Sequence, residues 1–191
     1  MSCKRIVADL LNFARGNEQV RGMASINETI REVVSLVAAQ FRKQQIELET
    51  DLATELPLLE IDSDRMKQVF LNLLMNAAQA ITGGGRIQVR SRLRENMIKV
   101  TVEDTGRGIP SDQLDRIFDP FFTTKGPGEG TGLGLSVSYG IVRDHGGEIR
   151  AASEPGKWTR LTVLLPVGNN QDRTGGGGGQ ARGLRLHHQT L

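Results

Sequence analysis

The sequence lacks the features that would place it in a secreted, disulfide-linked or membrane-spanning class. It has one cysteine, Cys3, among 191 residues, which excludes an internal disulfide framework and suits a reducing cytoplasm. Its longest apolar run is far shorter than the roughly 18 residues that a membrane helix needs. Asp9 and Asn12 stand where a signal peptide would be apolar. We therefore expect a cytoplasmic segment without membrane contact, although a longer protein could be anchored upstream of it.

The body of the chain also lacks an excess of charge of one sign. The formal net charge is +2, but the three arginines and one aspartate that follow Pro166 account for all of it. The remainder is near neutral and gives no support to nucleic-acid binding. Hydrophobic residues make up 38% and charged residues 24% of the chain, a balance typical of a globular domain.

Apolar spacing divides the chain into helices and strands. Helices are predicted over 4–15, from a cap at Asn27 through Phe41, from a cap at Asp62 or Asp64 through Ala80, near 112–117 and over 133–145. Strands are predicted over 46–52, 86–93, 97–103, 148–153 and 160–165, with a turn at 94–96. We therefore predict an α/β (α+β) two-layer sandwich, with a mixed, mostly antiparallel sheet and helices on one face.

The two ends of the chain differ from its middle. Residues 4–15 form a short amphipathic pattern that Gly16 and Asn17 end, which indicates a helix that packs on a partner helix or, alternatively, on its own domain. From Gly168 onward, five consecutive glycines and many polar residues indicate a flexible tail over 168–191.

A first cluster of candidate functional residues lies on the predicted helix that ends at Ala80. Asn72 and Asn76 are four residues apart and share a face of that helix. Two amides on a core helix cost free energy unless they meet a ligand or partner, and an amide oxygen can complete the coordination of a Mg²⁺ ion held mainly by phosphates. A solvated helix face is the alternative explanation.

A second cluster, Asp104-Thr-Gly106-Arg-Gly108, directly follows a predicted strand. A carboxylate at a strand end can accept a hydrogen bond from an exocyclic amine, and the glycines let the backbone lie flat against a planar base. A common Asp/Gly turn is the alternative, and the Asp-x-Gly-x-Gly spacing disfavours it.

The third cluster, Phe118-Asp-Pro-Phe-Phe-Thr-Thr-Lys125, holds three of the six phenylalanines. Aromatic side chains in a loop must be buried, so we expect this loop to pack back on the domain. Lys125 is either solvated or placed to contact a terminal phosphate.

The fourth cluster is the glycine-rich stretch from Gly126 to Leu135, which leads into a predicted helix. Its glycines permit close backbone approach, and a helix N-terminus favours a phosphate group. The dinucleotide-binding fingerprint is excluded because the glycines follow a long loop rather than the first strand of a βαβ unit. A plain flexible loop remains the alternative.

Together and in this order, the four clusters resemble the N, G1, F and G2 boxes of sensor histidine kinases, most closely those of the nitrogen-regulator type. The resemblance covers roughly residues 26–166, about three-quarters of the chain. It implies the Bergerat ATP-binding fold shared with gyrase, heat-shock protein 90 and mismatch-repair ATPases. It also implies that 21–167 is the catalytic ATP-binding domain and that 1–20 is the end of the second helix of a dimerisation and phosphotransfer domain.

The resemblance also implies roles for individual residues. Asn76 would coordinate Mg²⁺, and Asp104 would receive the adenine amine of ATP. Gly106 and Gly108 would contact the adenine base, and Thr162 would contact the nucleotide on the adenine side. The implied phosphate contacts are Gly130, Thr131, Gly132, Leu133 and Gly134. A mobile lid over about 122–131 would cover the phosphates. Asn72 and Lys125 would be catalytic residues near the phosphates.

Asn72 distinguishes a kinase from a hydrolase. The related ATPases carry a water-activating glutamate at this place, and an asparagine is not a base at neutral pH. The site is therefore expected to hold ATP until a better nucleophile arrives.

The chain lacks the His-Glu-x-x-x-x-Pro type of phosphoacceptor motif. His145 precedes Gly146 and Gly147 at a helix end, where local capping is expected, and the remaining two histidines, His187 and His188, lie in the tail. The resemblance thus implies a protein histidine kinase domain whose acceptor lies on a helix of the same kinase or its dimer partner. It further implies a downstream response regulator and a homodimeric full-length protein. A degenerate nucleotide-binding module without phosphotransfer is the main alternative, and a serine-kinase anti-sigma factor of the same fold is a weaker one.

Overall fold

A five-stranded sheet and three long helices occupy most of residues 20–123 and 131–168, the parts of the chain that the computed structural model describes. In chain order the elements are β1 (Gly22–Ala24), α1 (Ile26–Lys43), β2 (Ile46–Leu52), β3 (Leu59–Ile61), α2 (Ser63–Ala80), β4 (Gly85–Arg94), β5 (Met97–Asp104), the short α3 (Ser111–Leu114), α4 (Gly134–Asp144), β6 (Glu148–Glu154) and β7 (Trp158–Pro166).

The main sheet has the strand order β2-β4-β5-β7-β6. β2 and β4 are parallel, and every other neighbouring pair is antiparallel. Alternate residues of β5, namely Ile98, Val100 and Val102, are buried on one face, and α1, α2 and α4 pack on strands of this sheet. The predicted two-layer sandwich with a mixed, mostly antiparallel sheet is therefore confirmed.

Helix α2 is the central element of the core, and its boundaries follow from its sequence. The Asp62 side chain accepts a hydrogen bond from the Arg65 N–H at 3.1 Å and caps the first turn, as predicted. Its apolar stripe is buried, and Gly83 and Gly84, both with positive φ, follow its end. The buried stripe comprises Met66, Val69, Phe70, Leu73, Leu74, Ala77 and Ala78. Burial of each large side chain stabilises the fold by about 1.5–3 kcal/mol, which fixes the orientation of the polar face.

The predicted cap of α1 is wrong. Ser25, not Asn27, caps this helix by accepting a hydrogen bond from the Glu28 N–H. Asn27 is buried in the first turn, where it donates to the Ala53 carbonyl at 2.7 Å and accepts from the Ser91 hydroxyl at 2.8 Å. A tertiary contact with β4 thus decides between two residues with similar capping propensity.

The sequence analysis did not predict two short strands, β1 and β3. β1 and β3 form an antiparallel pair that is separate from the main sheet, and β3 leads directly into the Asp62 cap of α2. The predicted helix over 4–15 and the glycine-rich tail after residue 168 lie outside the described residues. Within 20–123 and 131–168, no helix combines the length and apolarity that crossing a bilayer requires.

Candidate active site

A cavity of about 610 Å³ lies between α2, the segment after β5 and the first turn of α4. This volume is within the usual range for small-molecule sites, about 300–1,000 Å³. The cavity brings together described residues of all four predicted clusters, with Phe122 and Thr123 from the third. Its described lining includes Gln68, Leu71, Asn72, Met75, Asn76 and Gln79 from α2, Arg107, Gly108, Ile109 and Pro110 after β5, and Thr131, Gly132, Leu133, Gly134 and Leu135 at the start of α4.

The described part of the cavity wall contains amides, hydroxyls, glycines and apolar groups, but no acidic, histidine or lysine side chain. Arg107 carries the only formal charge among these lining residues. A water molecule in the cavity therefore has no general base in the described wall to take its proton.

Asn72 and Asn76 lie one turn apart on one face of α2, as predicted, and both line the cavity. Asn72 does more than line it, because its Nδ2 donates to the Gly134 carbonyl at 3.1 Å and to the Ser138 hydroxyl at 3.3 Å. The side chain thereby joins α2 to the first turn of α4. Asn76 offers its amide to the cavity from the neighbouring turn.

Asp104 ends β5 on the helix-facing side of the sheet, with its side chain only 5% exposed. Its Oδ1 accepts a hydrogen bond from the Gly106 N–H at 2.8 Å, and the Thr159 backbone N–H also donates to the carboxylate. Burial raises the pKa of Asp104 to about 6, and these two hydrogen bonds oppose the shift. Asp104 and Gly106 lie behind the cavity wall, whereas Thr159, the register partner of Asp104, contributes to the wall itself.

Two glycines at the cavity, Gly108 and Gly132, are required by packing within the protein. Gly108 has a φ of +68°, and a Cβ there would lie 2.3 Å from the Glu154 carbonyl oxygen. Gly132 has a φ of +67°, and a Cβ there would lie 2.4 Å from the carbonyl carbon of Phe121. Any larger residue would push these loop segments apart, so the glycines set the shape of the cavity.

The prediction that Thr162 contacts the adenine side of the site is wrong. On β7, Thr159, Leu161 and Val163 are buried on the helix-facing side, whereas Thr162 pairs with Thr101 on the opposite face. Successive side chains of a strand point to opposite faces, so Thr162 faces away from the cavity. Thr159 lies on the cavity side of β7 instead, and the sequence analysis did not single it out. The alternation of exposed and buried residues that begins at Trp158 is the sequence signal that could have identified it.

The phenylalanine-rich loop packs back on the domain as expected, with one exception. The Phe118 and Tyr139 rings are 5.8 Å apart, and the Arg116 guanidinium lies 4.7 Å from the Phe122 ring centroid. Phe121, in contrast, is exposed and has a φ of +66°. Lys125 and Gly130, with most of the predicted lid, lie outside the described residues.

Ser138 is a second buried polar residue that the sequence analysis did not single out. It lies one turn after Gly134 in α4, is fully buried, and donates from its hydroxyl to the Gly134 carbonyl at 2.9 Å. A serine among the apolar residues of a core helix was the only available signal.

Comparison with known proteins agrees with this geometry. The sequence model of the histidine kinase-, DNA gyrase B- and HSP90-like ATPases matches residues 61–169. Sensor histidine kinase ZraS of Escherichia coli (strain K12) is 41% identical over 163 residues, which cover 85% of this chain and 35% of ZraS. The chain thus spans about a third of the length of this relative.

Solved structures extend the similarity to the fold. The nucleotide-free catalytic domain of histidine kinase ThkA has a TM-score of 0.70 and 35% identity, and the match covers 76% of this chain and 95% of that domain. Full-length ShkA in complex with AMPPNP has a TM-score of 0.76 and 27% identity, with 85% of this chain and 35% of ShkA covered. ThkA in complex with response regulator protein TrrA has a TM-score of 0.73 and 30% identity, with 86% of this chain and 47% of ThkA covered.

The four motifs meet at one cavity or pack directly beside it, in a fold shared with histidine kinase catalytic domains. The chain therefore belongs to the family of histidine kinase-, DNA gyrase B- and HSP90-like ATPases, as an ATP-binding domain of the sensor histidine kinase type.

Proposed function

We propose that this chain is the catalytic part of a two-component sensor histidine kinase, which transfers the γ-phosphoryl group of Mg-ATP to a histidine on a separate phosphoacceptor helix. The observation that carries this proposal is the described cavity wall, which has amides and glycines but no side chain able to activate water. A histidine acceptor is itself a nucleophile and needs no such base. The site therefore favours phosphoryl transfer over hydrolysis.

The buried carboxylate of Asp104 defines the adenine end of the proposed site. An ionised carboxylate with two backbone N–H partners keeps lone pairs for a further donor, such as an exocyclic amine. Gly108 and Thr159 form the adjacent wall. This end binds and orients the base, and it takes no part in the chemistry.

The residues at the other end suit a magnesium ion that arrives with the nucleotide. No group of three or more acidic, histidine or cysteine side chains that could hold a metal is found among the described residues. Mg²⁺ keeps several waters and binds substrate phosphates together with one or two protein oxygens, and the Asn76 amide oxygen is suited to this. When bound, the ion would neutralise charge that develops on the phosphates.

The phosphates are assigned to the start of α4. Helix N-termini attract anions through free N–H groups and the helix dipole. Thr131, Gly132, Leu133 and Gly134 lie there in the cavity wall, and we extend the assignment to Gly130 and Lys125 from the motif. Because phosphoryl transfer depends mainly on positioning and charge neutralisation, these groups suffice to present the γ-phosphoryl group.

The acceptor must be a histidine other than His145. His145 is only 7% exposed, and both of its ring nitrogens are engaged, with the Ile141 carbonyl and the Asp62 N–H. We therefore assign the acceptor to a helix of the same kinase or its dimer partner. By analogy with the ThkA complex we propose a response regulator as the next acceptor, and a cytoplasmic site for the reaction in a homodimeric kinase.

The proposal is tested by phosphotransfer to a separate acceptor fragment. The chain is mixed with the phosphoacceptor helical hairpin of its full-length kinase and radiolabelled Mg-ATP, and acid-labile label is expected on the histidine of the fragment. Asn76→Asp should abolish labelling, because a carboxylate alters both the charge and the metal ligation of the site. Asn96→Asp, the same change in the exposed β4–β5 turn, is the matched control and should leave labelling intact.

Two results would contradict the proposal. Tight nucleotide binding without label on the fragment would favour a binding module that does not transfer phosphate. Release of inorganic phosphate at the same rate with and without the fragment would favour a hydrolase.

A further inference from the structure

Ser138 and Asn72 form a buried polar contact between the two helices that flank the cavity. The Ser138 side chain is fully buried. Its hydroxyl donates to the Gly134 carbonyl at 2.9 Å, and Asn72 Nδ2 donates to both the Ser138 hydroxyl, at 3.3 Å, and the Gly134 carbonyl, at 3.1 Å. The three groups form a closed set of hydrogen bonds at the first turn of α4.

This arrangement permits one orientation of the Asn72 amide. The Ser138 proton points to the Gly134 carbonyl, so the lone pairs of its oxygen are left for a donor. If the amide were rotated by 180°, its oxygen would face the Gly134 carbonyl oxygen, and two acceptors would be opposed. The amide nitrogen of Asn72 is therefore directed at α4.

From these contacts we infer that Ser138 is a positioning residue for the phosphate end of the site. It fixes the Asn72 amide and, through it, holds the first turn of α4 against α2, one turn before Asn76. This inference rests on the proposed function, because it assumes that the start of α4 contacts phosphate. A displacement of about 1 Å between such elements is enough to weaken binding and transfer.

Asn72 thereby acquires a different role from the catalytic one expected from the motif. Its amide nitrogen donates to α4, so Asn72 acts on the transferring group through the position of α4. An apolar side chain at 138 would fill the same space without holding the amide, and this difference can be measured.

The test separates ligands that reach the phosphate end from those that do not. Mg-AMPPNP and adenosine are titrated calorimetrically into the chain and into Ser138→Ala, Asn72→Ala and the double variant. Ser91→Ala is the matched control. Ser91 is equally buried, and its hydroxyl is bonded to another asparagine, Asn27, away from the cavity lining.

We expect Ser138→Ala to weaken Mg-AMPPNP binding about fivefold, the scale for one hydrogen bond, while adenosine affinity changes less than about twofold. The double variant should bind Mg-AMPPNP no more than about twofold more weakly than Asn72→Ala, since both changes remove one coupled unit. Ser91→Ala should lower the melting temperature and leave both affinities unchanged.

Equal losses for both ligands, or no loss for either, would overturn the inference, as would additive effects in the double variant. If Ser138→Ala does not fold, the half-buried Asn72→Ala carries the same test, because the inference requires the same difference between ligands. If the unaltered chain binds no Mg-AMPPNP, the proposed function fails and the inference with it, so the two failures are distinguishable.

Discussion

At the scale of one residue, the buried carboxylate of Asp104 lowers the stability of the fold at neutral pH while it remains available to a ligand. Its pKa is raised from 3.8 to about 6. A carboxyl group whose pKa is raised in the folded protein contributes its full stabilisation below the pKa of the unfolded chain. This contribution is lost as the pH rises through the pKa of the folded protein. At neutral pH the ionised side chain therefore costs about 3 kcal/mol of stability. A buried charge that the fold tolerates at such a cost is a candidate for ligand binding.

The same pKa predicts how adenosine affinity depends on pH. If the ionised carboxylate accepts the adenine amine, affinity should be constant well above pH 6 and should fall as the pH drops below about 6, approaching tenfold per unit. Calorimetric titrations of adenosine between pH 5 and 8 would measure this, because adenosine has no phosphate that titrates in the range.

The matched variant is Asp104→Asn, which keeps the size of the side chain and removes its charge. It should bind adenosine about 1–3 kcal/mol more weakly at neutral pH and show no pH dependence in this range. Unchanged affinity in this variant would contradict the assignment of Asp104 to adenine.

Single residues also show where sequence reasoning succeeds and where it fails. Asn76 and Gly134 line the cavity and Asp104 lies beside it, and the sequence singled out all three because their motifs combine residue type with spacing. Thr162 was wrong and Thr159 was missed although the alternation of β7 places Thr159 on the same face as Leu161 and Val163. The pairing of Thr159 with Asp104 depends instead on the register between β7 and β5, which local sequence does not contain.

At the scale of elements, the contact between α4 and the start of α2 depends on His145. Its Nδ1–H donates to the Ile141 carbonyl at 2.7 Å, and its Nε2 accepts from the Asp62 N–H at 3.0 Å. The ring therefore joins the C-terminal end of α4 to the capping residue of α2. The capping role expected for His145 is present, and it reaches across the fold as well as along its own helix.

We predict that this contact makes stability depend on pH. Burial, with smaller effects from Arg21 and Arg65, lowers the pKa of His145, whereas the hydrogen bond to the Ile141 carbonyl and, more weakly, Asp62 oppose the shift. Arg65 is in turn paired with Asp144 beside the ring. A group with a lowered pKa contributes its full stability above the unfolded value of about 6.5 and loses it as the pH falls below that value. Protonation would also direct the new Nε2 proton at the Asp62 N–H.

Urea unfolding of the chain and of His145→Gln between pH 5 and 8 would test this prediction. A glutamine oxygen can still accept a hydrogen bond but does not titrate. The variant should be about 1–2 kcal/mol less stable at pH 7.5, and the difference should shrink towards pH 5. Asp104 titrates in both proteins and cancels, so parallel stability profiles would refute the role of His145.

The predictability of the elements follows their length. α2 has a long apolar stripe, a capping aspartate and terminal glycines, and its bounds were found within two residues. β1 and β3 have three residues each, which is too few to show periodicity. They exist because they pair with each other, and only the folded structure brings them together.

At the scale of the molecule, the two faces of the sheet explain the two-layer architecture. The face opposite the helices carries charges of both signs, and ion pairs such as Arg86–Glu49, Arg90–Asp51 and Arg160–Glu103 join neighbouring strands across it. Such a surface is stable in water, and exposed pairs of this kind each contribute little. The apolar face alone requires cover, and the helices that cover it also form the cavity.

Because the cavity lies between α2, the segment after β5 and α4, a nucleotide that contacts all three should stabilise the whole domain. Free ligand at a hundred times its dissociation constant stabilises a protein by about 2.7 kcal/mol. For a domain of this size, this corresponds to a rise in melting temperature of roughly 5–10 °C. Scanning calorimetry with Mg-AMPPNP should show this rise in a single transition, and Asn76→Asp at the same ligand concentration should show a smaller one. An unchanged melting temperature would contradict binding between these elements, and two separate transitions would show that α2 and α4 unfold independently.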